Sequence, residues 1–241
     1  MTDNDAMPDF AARLADVKAR IHAAEAWSGR LGSGVRLLVA TKTADADATA
    51  AAVRAGVRIV GESRMQELEA KGQALKEAGA RIHVIGQLQR NKAAIAVRWA
   101  DCVQTVESLS LAERLSRLCV DAGRELDVMI QVNVSGEPTK AGVTPDEALA
   151  LASVVQNLPA LTVIGFMTIG LNSSDESAVR AGYARLTALR DEALVRSERG
   201  ELQLRDAWEL SMGMSSDLEW AVAEGATIVR VGTAIMGDRP R

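Results

Sequence analysis

The chain has 241 residues, 48% of them hydrophobic and 25% charged, which is the composition of a folded globular protein and not of a disordered one. Its 28 basic and 32 acidic residues give a formal charge of −4 with no dense basic stripe, which excludes nucleic-acid backbone binding by bulk electrostatics. Two cysteines and two histidines are too few for a disulfide scaffold or a His-rich metal site, and no apolar run approaches the ~20 residues of a membrane span.

One domain over 1–241 is expected, a cytoplasmic monomer without nucleic acid or membrane as partner, because the opening residues are acidic where a signal peptide is basic and then apolar. Phe10, Leu14, Val17, Ile21 and Ala24 recur at spacings of three and four, the period of an amphipathic helix, and Pro8 suits its first turn. After Gly32-Ser33-Gly34 a unit of short apolar run, turn and helical stretch repeats to the end. Runs at 35–41, 57–60, 82–86, 102–106, 128–134, 161–169, 208–211 and 227–231 read as eight strands. Stretches at 46–55, 64–78, 109–122, 145–156, 176–196 and 216–224 are rich in Ala, Leu, Glu and Arg and read as helices.

Unbroken alternation implies a parallel sheet covered on both faces. Eight strands suit an α/β fold of the closed (β/α)8 TIM-barrel type, with an open doubly wound sheet as the alternative. Only ten residues follow Val231, too few for an eighth outer helix of ordinary length. The segment 1–34, with its helix, is expected to fill that place between the last strand and the first. The polar stretches 135–146, 170–177 and 197–206 are loops, and nothing marks a second domain.

No dinucleotide fingerprint, P-loop or nucleophile elbow occurs, and two histidines leave little scope for a Ser-His-Asp triad. In a barrel the chemistry lies at the C-terminal ends of the strands. There the first strand ends in Lys42, and the third carries His83 and runs into 86–92. The fifth gives Gln131 and Asn133, and the sixth gives Met167 and Thr168. Ser211-Met212-Gly213-Met214-Ser215 follows the seventh, and the eighth holds Arg230, Gly232 and Thr233.

A lysine at the inner end of an apolar strand loses solvation, and the neutral amine so exposed attacks carbonyls. The alternative is a packed stem with its ammonium in solvent at the rim. The segments around Gly213 and Gly232-Thr233 occupy the frequent phosphate site of this fold, where hydroxyls and free N–H groups ahead of a helix hold a dianion. Ordinary capping with a turn glycine is the other reading. Arg230 interrupts an apolar strand and needs an acceptor, either Glu219 or Asp217 or the nitrogen of a ligand heterocycle. His83 reads as a hydrogen-bonded core residue, Asn91 and Lys92 as the start of a helix, and Cys102 and Cys119 as small buried residues.

A lysine for an imine, a phosphate cup and an arginine for a ring nitrogen together describe pyridoxal 5′-phosphate. The sequence resembles the YggS/PROSC pyridoxal phosphate homeostasis proteins over nearly its whole length. The resemblance rests on Val39-Ala40-Thr41-Lys42-Thr43, Gly61-Glu62, the block from His83 to Lys92, Gln131-Val132-Asn133, Lys140-Ala141-Gly142 and Gly165-Phe166-Met167-Thr168. It continues through the block from Ser211 to Asp217 and the block from Arg230 to Gly237. It departs at Ser63, where the family usually has Asn, and at Met236, where Phe or Tyr is usual.

The resemblance implies a barrel like the N-terminal domain of alanine racemase, with the cofactor as a Schiff base on Lys42. It implies phosphate contacts from Ser211, Gly232, Thr233 and backbone around Gly213, Arg230 at the pyridine nitrogen, and Asn133 and Met167 along the ring. An arginine at that nitrogen disfavours its protonation and weakens the ring as an electron sink. Racemisation also needs a second acid/base, and the chain's single tyrosine, Tyr183, reads as part of a helix. The leading expectation is therefore a non-enzymatic role in cofactor homeostasis: binding, storage and delivery to apo-enzymes. A minimal amino-acid racemase using Lys42 as base, and an aldolase whose Lys42 reacts directly with a sugar phosphate, are the alternatives.

Overall fold

The fold is described over residues 9–42 and 44–237 in a computed structural model, so Pro8 and Thr43, named in the sequence reading, lie outside the described residues. Helix α1 (Phe10–Trp27) begins at Asp9, whose carboxylate accepts the Ala12 N–H at 3.0 Å. Its buried stripe is Phe10, Leu14, Val17, Ile21 and Ala24, as the spacing predicts. The repeating units then follow: β1 (Arg36–Ala40), α2 (Ala46–Arg54), β2 (Ile59–Glu62), α3 (Met65–Glu77) and β3 (Arg81–Val84). A 3₁₀ turn (Arg90–Lys92) leads into α4 (Ala93–Trp99), and β4 (Cys102–Val106), α5 (Leu109–Ala122), β5 (Leu126–Gln131) and α6 (Pro145–Gln156) come next. The chain finishes with β6 (Leu161–Met167), α7 (Glu176–Glu198), β7 (Glu209–Ser211), α8 (Leu218–Ala223), β8 (Ile228–Val231) and the single turn α9 (Thr233–Met236).

Successive strands pair in parallel, and β1 also pairs with β8, setting Leu38 opposite Arg230 and closing the ring in the order β1 to β8. The closed barrel holds and the open sheet does not. Helix α1 packs against α8, α9 and α2, the place an eighth outer helix would take. Arg13 Nη1 donates to the Ile235 carbonyl at 3.1 Å, and Arg20 Nε donates to Glu219 at 2.9 Å, so polar bonds lock what the apolar stripe buries.

Alternate strand residues face the helices and the barrel interior. The outward set forms one large core with the helices. Inside, Leu38, Ile59 and Ile228 make one small cluster, and Cys102, Met129 and Met167 make another. Glycine permits two close approaches. A Cβ on Gly165, where φ is +153°, would lie 2.0 Å from the Glu209 carbonyl oxygen, and one on Gly61 would lie 2.4 Å from Leu38 Cδ2.

Several strands end before the apolar pattern does. β5 stops at Gln131, where the backbone turns to bridge Val143 and the Asn133 amide folds onto the following loop, donating to the Glu137 carbonyl at 2.8 Å and accepting the Gly136 N–H at 3.1 Å. Such a side chain offers the backbone an alternative to the ladder.

Candidate functional site

A continuous polar chain crosses the barrel interior near the C-terminal ends of the strands. Gln104 is fully buried, and its Nε2 lies 2.8 Å from His83 Nδ1. An amide nitrogen only donates, so Nδ1 accepts and the ring proton sits on Nε2, which has no partner. Burial drives the His83 pKa down to about 3 and keeps the ring neutral. The Ser211 hydroxyl donates to Gln104 Oε1 at 2.7 Å and accepts from Arg230 Nη1 at 3.0 Å. Arg230 Nη2 donates to the Thr168 carbonyl at 2.7 Å. Burial lowers the Arg230 pKa to about 10, so the guanidinium stays charged at neutral pH.

Neither carboxylate weighed from sequence hydrogen-bonds to Arg230, although Asp217 lies near enough to favour its charge. Asp217 accepts from the Tyr183 hydroxyl at 2.8 Å and from the Met214 N–H at 2.6 Å, and Glu219 is held by Arg20. Arg230 is thus a buried cation hydrogen-bonded to neutral acceptors. Ser211, expected at a phosphate, has its proton directed to Gln104, and its lone pair to Arg230. Gln104 was not among the sequence candidates, although a glutamine inside the apolar run CVQTV was the available signal.

Above this layer stand the loops after β7 and β8. Gly213 has φ +86°, and a Cβ there would lie 2.4 Å from Ala221 Cβ, so glycine lets the loop lie down on α8. Gly232 is half-buried beside Ala40, and Thr233 is exposed. α8 has only six residues, so the extended helix pictured from 216–224 and its dipole are cut short. Tyr183 lies in α7 as expected; burial and the neighbouring Asp217 push its hydroxyl well above the usual phenol range.

Lys42 stands in a turn beyond the end of β1 and is exposed. Of the two readings of Lys42, its exposure matches the ammonium in solvent at the rim and not the desolvated amine: β1 stops at Ala40, and Thr41 is the last buried residue before the turn. Beneath it is a buried lysine that no sequence motif revealed. Lys71 Nζ, from α3, donates to Glu62 Oε1 and to the Thr41 carbonyl, both at 3.0 Å, and the Thr41 hydroxyl donates to the same Glu62 oxygen. Burial raises the Glu62 carboxyl above its ordinary value against the pull of Thr41 and Lys71.

Of the two residues expected along a ring, Met167 is fully buried with Cys102 and Met129, and Asn133 is half-buried with its amide engaged by its own loop. Lys140 Nζ donates to the Gly170 carbonyl at 2.7 Å, joining the loops after β5 and β6. Cys102 and Cys119 are buried free thiols, and Arg90–Lys92 begin the helical segment as expected.

The model of the alanine racemase N-terminal domain matches residues 14–240. The pyridoxal phosphate homeostasis protein of Pseudomonas aeruginosa is 39% identical, with 97% of each chain covered. A solved structure of an unknown protein from Bifidobacterium adolescentis matches with a TM-score of 0.89 at 39% identity, covering 98% of this chain and 97% of that one. PipY of Synechococcus elongatus PCC7942, solved with PLP bound, matches with a TM-score of 0.80 at 34% identity, over 95% of this chain and all of that one.

Proposed function

Since this chain belongs to the pyridoxal phosphate homeostasis proteins, within the alanine racemase N-terminal-domain family, we propose that it binds pyridoxal 5′-phosphate reversibly, stores it, and delivers it to apo forms of the enzymes that use it. The observation that carries this reading is Arg230, a buried cation with only neutral acceptors, Ser211 and the Thr168 carbonyl. Two of its five N–H donors are described in use, leaving capacity for a ring nitrogen. The residues fit the group.

When bound, the cofactor supplies an aldehyde that condenses reversibly with a primary amine. Lys42 offers that amine on an exposed turn, open to arrival and departure. Gly232, Thr233 and the backbone around Gly213 surround the phosphate, while Ser211 holds the guanidinium of Arg230 at the ring nitrogen. Asn133 and Met167 border the ring. Tyr183 supports a carrier over a racemase: its hydroxyl is buried and already given to Asp217 inside the fold. The carrier works as a cytoplasmic monomer, one barrel over 1–241; among the described residues no helix is long and apolar enough to cross a membrane.

Borohydride reduction of the loaded protein followed by peptide mapping should place the adduct on Lys42, and Lys42→Ala should stay colourless. An adduct on another lysine refutes the assignment. Transfer of the cofactor to an apo-enzyme in the presence of a trap should occur, whereas Cα deuterium exchange of L-amino acids well above the free cofactor would replace the carrier by the racemase.

A further inference from the structure

The residue before Lys42 is held at every polar atom. The Thr41 N–H donates to the Gly61 carbonyl at 3.1 Å, and its own carbonyl accepts the Ala44 N–H at 3.2 Å, closing the turn that carries Lys42. That same carbonyl accepts Lys71 Nζ at 3.0 Å, and the Thr41 hydroxyl is bonded to Glu62. Both members of the ion pair are out of water, Lys71 at 4% exposure and Glu62 at 0%.

Stability alone is a poor reason for this arrangement. A buried ion pair loses much hydration and is often matched or bettered by apolar side chains of similar volume. Here Glu62 Oε2 has no partner, so the pair is not satisfied throughout. What the pair does achieve is local. It fixes, from α3 and β2 together, the backbone from which Lys42 projects, while the groups assigned to phosphate and ring nitrogen lie on other strands.

We propose that Lys71 and Glu62 are positioning residues for Lys42: by clamping Thr41 they hold the amine where an aldehyde seated between β7 and β8 can meet it. The proposal rests on the reading of Lys42 as the cofactor amine. It distinguishes the step at the amine from the seating of the rest of the ligand, because the clamp bonds to Thr41 and to none of the groups assigned to phosphate and ring nitrogen.

The test compares pyridoxal 5′-phosphate with pyridoxine 5′-phosphate, which carries an alcohol in place of the aldehyde. Lys71→Met should weaken binding of the aldehyde, read from its visible absorption band, by about ten- to a hundredfold, the scale of a misplaced reacting group. Binding of the alcohol, read by calorimetry, should be unchanged. Because Lys71→Met leaves a buried carboxylate alone, the double variant Glu62→Gln/Lys71→Met, which has no charge at the pair, should fold normally and show the same split. Equal loss for both ligands, or no loss for either, overturns the clamp. An aldehyde adduct that survives Lys42→Ala in the otherwise native protein overturns the reading of Lys42 instead.

Discussion

Replacing Gln104 by leucine removes the centre of the polar chain while keeping a side chain of similar volume. Two groups lose their partners in one step. His83 Nδ1, bonded to Gln104 at 2.8 Å, becomes the second bare nitrogen of a ring buried to 2% exposure. The Ser211 hydroxyl, which donates to Gln104 at 2.7 Å, keeps only the bond it accepts from Arg230. Each orphaned group costs about 1–3 kcal/mol, and the leucine recovers part of the total by burying carbon in place of an amide. The net loss is about 3 kcal/mol, equivalent to a fall of about 6–12 °C in Tm for a chain of this size. Thermal melts followed by circular dichroism read it directly. Combining Gln104→Leu with Ser211→Ala should cost less than the two losses added, by about 0.5–3 kcal/mol, because their shared bond disappears only once. Full additivity, or a Tm change below about 2 °C for Gln104→Leu, would show that the chain carries no energy of its own.

The remaining expectations concern acid stability and the loops. The His83 pKa of about 3 in the fold, against an ordinary 6.5, means that below pH 6.5 the unfolded chain binds a proton the native state refuses. Its contribution is therefore complete above 6.5 and declines as pH falls toward 3, by up to about 5 kcal/mol; urea titrations of His83→Asn should show a flatter acid limb, and an identical limb would refute the assignment. Tyr183→Phe leaves Asp217 Oδ2 without its partner, costing about 1–3 kcal/mol in urea unfolding, and should weaken pyridoxal 5′-phosphate more than pyridoxal because the loop to Met214 loosens. Gly213→Ala combines a left-handed φ of +86° with a Cβ 2.4 Å from Ala221, so equilibrium unfolding should show a loss of about 2–5 kcal/mol.

The barrel was legible because each strand is a short apolar run between helical stretches, and the helix from Phe10 to Trp27 announced itself through one stripe of spacings. Strand ends were less legible. Apolar residues continue through Val132 and Val134, yet there the backbone pairs with Val143 and the Asn133 side chain bonds its own loop, and neither leaves a mark in the hydrophobic pattern. Arg230 was recognised as needing an acceptor, but not which one, since a serine hydroxyl and a backbone oxygen leave no charge pattern in a sequence. Lys71 was invisible for another reason. It lies in the stretch MQELEAKGQALKE among other charged residues, and only the meeting of α3 with the end of β2 separates it from the solvated ones.

The seam between α1 and α8 sets the order in which this protein can be completed on the ribosome. Arg20 and Glu219 are 199 positions apart, so at about 5–20 residues per second the first helix is born roughly 10–40 s before its mate. Throughout that interval only α2, of its three helical partners, is available to cover its greasy stripe, which makes the rest a natural handle for a chaperone. A circularly permuted gene that moved this helix behind the last strand would turn late contacts of synthesis into local ones.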